Sequence, residues 1–109
     1  MKNPSIGKKV DTKRMAKILK ALSHPNRLEL YLEIMKRHEV DYDTQYECFI
    51  MDIVESLNIG APTISHHLKE LANADLITTE RRGKYLVANI NMNTIAAVTS
   101  LLSPANRGD

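Results

Sequence analysis

The fold of this chain is decided by Asn58-Ile59-Gly60-Ala61-Pro62-Thr63-Ile64-Ser65-His66-His67-Leu68-Lys69-Glu70-Leu71. Ile64, Leu68 and Leu71 recur at i, i+4 and i+7, with Ala72 beside them, which predicts one apolar stripe on a helix opening at Pro62. Upstream, Ile50, Ile53, Val54 and Leu57 trace the same period on another helix, expected to start at Cys48. Asn58-Ile59-Gly60 separates the two, and Gly60 is expected to supply a backbone conformation that other residues resist. Two helices joined by a short, glycine-containing turn make a helix-turn-helix.

The pattern extends outward in both directions. Residues 1–10 carry Pro4, Gly7 and several lysines without periodicity and read as a basic arm. A first helix is expected from Asp11 or Thr12, either of which can cap it, with Met15, Ile18, Leu19 and Leu22 as its stripe. Ser23-His24-Pro25 breaks it and opens a second helix to about Arg37. That helix has Leu28, Tyr31, Leu32 and Met35 on one face, widened by Leu30 and Ile34, as expected of a central, buried helix. Beyond Asp75 the period shortens. Residues 76–80 and 84–90 read as two strands around Arg81-Arg82-Gly83, and residues 92–102 as a last helix stopped by Pro104. The expected order is α-α-α-α-β-β-α, mainly α with a small β-hairpin: a winged helix-turn-helix over residues 11–103, followed by a tail at 104–109.

Charge narrows the choice of partner. The net charge of +2 conceals an asymmetry: residues 1–20 hold seven Lys or Arg against Asp11 alone, whereas residues 21–60 hold three basic and eight acidic residues. Such asymmetry points modestly toward a polyanion, although solvated helix faces produce it too. A single cysteine, Cys48, excludes an internal disulfide framework and fits a reducing compartment. No apolar run is long enough for a membrane span and no signal peptide is visible, so the cytoplasm is the expected location. No P-loop, dinucleotide fingerprint or Ser/His/Asp constellation appears, which argues against an enzyme.

Three segments carry a family resemblance. Leu19-Lys20-Ala21-Leu22-Ser23-His24-Pro25-Asn26-Arg27-Leu28 is similar to the "ALSHPTRL" segment of the ArsR/SmtB winged-helix repressors. Residues 62–71 resemble that family's "SxSxVSHHLKxL" recognition helix, and Glu80-Arg81-Arg82-Gly83-Lys84-Tyr85 its "xREGRxxxY" wing. Each match alone is weak, but their order and spacing together are specific. The resemblance implies a homodimer built from the first and last helices, presenting two recognition helices to a near-palindromic site on double-stranded DNA. The apolar stripes agree, with Met15, Ile18, Leu19 and Leu22 on one helix and Met92, Ile95, Val98 and Leu102 on the other. Both are expected to need more cover than one chain supplies.

If Ile64, Leu68 and Leu71 face the core, a rotation of about 100° per residue turns His66 and Lys69 outward, with Thr63 and Ser65 on the flanks. Thr63, Ser65 and His66 are then candidates for base edges, and Lys69 for a phosphate. His67 lies nearer the core and is expected to pack or hydrogen-bond there, and His24 is expected to be structural. Arg81, Arg82 and Lys84 are expected at the hairpin tip, suited to phosphates or a minor groove.

The departures from the family pattern concern sensing. Metal-sensing members commonly carry Cys-x-Cys before an Asp-Leu. Alignment on Asp52-Ile53 puts Phe49 and Met51 there, with Cys48 out of phase. A second family site uses Asp, His and Glu on the last helix, but no such residue occurs between Arg81 and Gly108. No metal or cofactor is therefore expected at either position. His38, Glu39, Asp41 and Asp43 are the remaining candidate ligands, and their spacing suits a solvated acidic loop as well as a cation site. An alternative function is a protein-interaction or antitoxin-like winged helix, which does not require salt-sensitive DNA binding.

Overall fold

The computed structural model describes residues 11–41 and 50–104. Helix α1 (Thr12–Ala21) starts where Asp11 caps it, its carboxylate accepting the Arg14 amide at 3.0 Å. Such a cap contributes about 1 kcal/mol. Lys20 in the last turn complements the helix dipole, and the Ser23 hydroxyl donates to the Lys20 carbonyl at 2.8 Å. Helix α2 (Pro25–Asp41) follows a short turn, with the Arg27 guanidinium donating to the Ala21 carbonyl across it. It is a turn longer than the expected end at Arg37.

Helix α3 (Ile50–Ser56) and helix α4 (Ala61–Asn73) flank the central turn. Strands β1 (Ile77–Arg82) and β2 (Tyr85–Ile90) pair antiparallel from Ile77↔Ile90 to Arg82↔Tyr85. Gly83 and Lys84 alone form the loop between them, and Gly83 adopts φ +65°, the first-position glycine of a tight hairpin turn. Helix α5 (Met92–Leu102) closes the described fold, capped by the Asn91 side chain accepting from the Asn93 amide. The arm, Cys48, Phe49 and most of the 104–109 tail lie outside the described residues.

One core joins these elements. Ile18, Leu30, Ile34, Ile53, Ile64, Leu71, Leu76, Ile77 and Val87 are almost completely buried, each side chain contributing about 1.5–3 kcal/mol by leaving water. The inward face of α2 differs from the expected one. Leu30, Tyr31 and Ile34 are buried, whereas Leu28 and Leu32 remain 37% and 54% exposed. An apolar band this wide offers two inward faces of equal period, and packing against α4 and β2 selects between them. The protomer also covers Met15 and Ile18 itself. Of the α1 stripe, only Leu19 and the half-buried Leu22 reach outward.

Candidate nucleic-acid interface

Helix α3 ends as the Leu57 amide and Ser56 hydroxyl both donate to the Ile53 carbonyl. Three residues after Leu57, Gly60 caps α4, its carbonyl taking the Ile64 amide at 3.0 Å. Gly60 does so at φ −63° and ψ 147°, ordinary extended backbone, and a Cβ there would meet only Pro62 at 3.9 Å. The expected glycine-specific conformation is therefore absent. What the junction requires is the capping geometry, which many residues adopt.

On α4, Ile64, His67, Leu68 and Leu71 are buried, while Thr63, Ser65, His66 and Lys69 are exposed on the other side. No acidic residue lies in the first turn, so the free amides and positive end of the dipole are not neutralised. Hydroxyls, an imidazole and an ammonium group thus share one outward face beside a helix N-terminus, chemistry suited to base edges and phosphates.

His67 is 3% exposed, and neither of its ring nitrogens has a hydrogen-bond partner among the described residues. The expected packing role is present and the hydrogen bond is not. Burial, followed by the nearby charges of His24, Arg27 and His66, lowers its pKa below the ordinary histidine value.

The wing differs from the expected tip. Arg81 and Arg82 lie within β1, paired with Leu86 and Tyr85, and only Lys84 belongs to the loop. The Arg82 Nε donates to Glu80 at 2.8 Å, and that hydrogen bond holds the Glu80 carboxyl below its usual pKa. The Arg81 guanidinium donates to the Lys84 carbonyl at 3.4 Å, and the Lys84 ammonium lies 5.6 Å from the centre of the Tyr85 ring. A two-residue loop leaves no room for the arginines, because the strand pairing continues to Arg82. All three cations remain exposed at the free end of the hairpin.

Of the other candidate ligands, Met51 is exposed on α3 and His38 half-buried on α2, while Cys48, Phe49 and Asp43 lie outside the described residues. Among the described residues, no group of three or more His, Cys, Asp or Glu side chains is arranged to hold a metal ion. No described helix is long and apolar enough to cross a membrane.

The end of α4 holds a feature that the apolar periodicity does not indicate. Helix α4 ends in a Schellman motif: the Leu76 amide reaches the Leu71 carbonyl and the Asp75 amide that of Ala72, both at 3.0 Å. Asp75 takes the left-handed position at φ 61°, where glycine is usual. Its signal was the aspartate itself, among the few residue types that enter that region readily.

Packing of α2 against α3 and α4, a helix-turn-helix with one outward polar face, and a basic hairpin beside it define a winged helix-turn-helix protein. The profile described as "Bacterial regulatory protein, arsR family" matches residues 45–79. The chain is 30% identical over 96 residues to the transcriptional repressor SdpR of Bacillus subtilis (strain 168), covering 87% of this chain and 97% of that one. It is also 30% identical over 97 residues to an arsenical resistance operon repressor of Staphylococcus xylosus, covering 89% and 85%. A crystal structure of an ArsR family transcriptional regulator superposes with a TM-score of 0.69 at 16% identity, covering 88% of this chain and 90% of the other, a likeness of fold. The chain belongs to the ArsR family and is a DNA-binding transcriptional regulator, not an enzyme.

Proposed function

We propose that the chain is a cytoplasmic, homodimeric repressor that reads a near-palindromic operator through α4. The observation that carries this reading is the division of α4 into a buried face and an exposed polar one, with its N-terminal turn free of acids. Thr63, Ser65 and His66 meet base edges, Lys69 takes a phosphate, and Arg81, Arg82 and Lys84 follow the neighbouring backbone or minor groove. The names of two repressors that it resembles at 30% identity support the sign of regulation.

Dimerisation accounts for the outward apolar side chains at the ends of α5. Met92 is 55% and Leu102 66% exposed, with Ile95 and Val98 half-buried between them. Leu19 on α1 and Leu22 at its C-cap are assigned to the same dimer surface, with the buried Met15 and Ile18 behind them in the stripe. Phe49 and Met51 at the positions of the family's cysteine ligands, and an α5 without ionisable side chains, favour a regulator that lacks both of those metal sites and takes no cofactor.

The test is fluorescence anisotropy on a duplex selected by the protein from a randomised pool. Affinity should fall steeply with salt, since each neutralised phosphate releases counterions, and a scrambled duplex should bind far more weakly. Equal affinity for both duplexes would overturn the reading.

A further inference from the structure

The end of α4, the proposed recognition helix, meets the start of α5, the helix proposed to join the protomers. The Schellman motif satisfies the last carbonyls of α4 but not that of Asp75. That carbonyl accepts a hydrogen bond from the Thr94 hydroxyl, one turn into α5. Thr94 is 0% exposed. Next to it, the Asn91 amide donates to the Leu76 carbonyl at 3.1 Å. The two residues that end α4 are thus held by the first turn of α5, through one backbone and one side-chain hydrogen bond.

From this junction we infer that Thr94 is a positioning residue, which sets the angle of the recognition helix relative to the dimer. The inference rests on the dimeric reading above. Its physical basis is the direction and burial of the bond. Thr94 is completely buried and this carbonyl is its hydroxyl's acceptor, so parting α5 from the end of α4 would leave that donor without a partner away from water. Asp75 takes the left-handed position at φ 61°, which aspartate enters more readily than most residues, so the turn that presents the acceptor is locally favoured. Ile95 and Val98 follow Thr94 on the same helix, within about a turn. The spacing of two recognition helices in a dimer is consequently fixed through Thr94 and Asp75.

The test compares Thr94→Val, which removes the donor at nearly constant shape, with Thr94→Ser, which keeps it. Each is measured by sedimentation and by anisotropy on a selected duplex, on the same duplex with one half-site scrambled, and on a series with one to four base pairs inserted between half-sites. The expected result is that Thr94→Val remains a dimer and binds the single half-site like wild type. It should lose about tenfold on the full site, and its affinity should depend less on spacing. Thr94→Ser should follow wild type. A dimeric Thr94→Val with the wild-type affinity and spacing profile would overturn the inference. So would an equal loss on the single half-site, which would mean that Thr94 only supports the fold. A wild-type protein that sediments as a monomer would overturn the dimeric reading and the inference with it. A dimeric wild type separates the two.

Discussion

The His24 ring, in the turn before α2, lies 4.8 Å from the His67 ring on α4, with the two planes tilted by 55°. The pair joins the start of the central helix to α4. Because His67 is buried among cationic or titratable neighbours, its neutral form is the one that fits.

This contact makes stability depend on pH with a definite sign. The folded pKa of His67 lies below the unfolded value of 6.5, so the unfolded chain binds the extra proton first as pH falls. Stability from this group is complete above 6.5 and declines below it, until pH passes the folded pKa. The slope is at most about 1.4 kcal/mol per pH unit. Urea denaturation of wild type and His67→Leu from pH 7.5 to 5 should show a steeper acid loss for wild type. Parallel curves would remove His67 as the cause.

Leu71 is wholly buried beneath α4, and its carbonyl accepts the bond that closes the helix. Leu71→Ala should lower unfolding free energy by about 2–5 kcal/mol, read from the urea midpoint at constant m-value. A loss below about 1 kcal/mol would mean that the site collapses around the smaller side chain.

Met92 and Leu102 lie outside the protomer core, so charge can be placed there without disturbing it. Met92→Glu with Leu102→Glu should give monomers by sedimentation velocity while the far-ultraviolet circular dichroism stays unchanged. The half-buried pair Ile95→Glu and Val98→Glu should also give monomers, with some loss of stability. Unchanged sedimentation of both double variants would place the dimer surface elsewhere.

Lys69 and His66 share the outward face of α4 but are assigned different targets. Lys69→Ala should weaken binding to every duplex alike and reduce the log–log salt slope by about one. His66→Ala should cost about 1–3 kcal/mol on the selected duplex and relax preference at one base position. Identical effects of the two substitutions would contradict the division between phosphate and base contacts.

Metals provide a separate check. Zinc, cadmium or arsenite at micromolar levels should leave operator affinity nearly unchanged, because an effector shifts an equilibrium only by binding its two states differently. A tenfold loss, equivalent to about 1.4 kcal/mol of coupling, would reveal a site. Its removal by Cys48→Ser would assign the thiol, and its removal by Asp41→Asn with Asp43→Asn would assign the acidic connection.

Local chemistry was legible wherever one residue type has one physical use. Asp11 as a cap, Pro25 and Pro62 in first turns, Gly83 at the hairpin turn and the apolar period of α4 each act within a few residues, so neighbours in sequence suffice to read them. The outward row of Thr63, Ser65, His66 and Lys69 follows from that period by rotation alone. Tertiary packing decided the rest. On α2 it chose Leu30 and Ile34 over Leu28 and Leu32, since a broad apolar band has no preferred side until α4 and β2 press against one. It buried Met15 and Ile18 within the protomer and brought His24 onto His67. Strand pairing drew Arg82 out of the expected loop and set it against Glu80. The bond from Thr94 to Asp75 spans 19 residues, and no periodicity reaches that far: a buried hydroxyl's partner is settled only when the chain has folded back and set a free carbonyl against it.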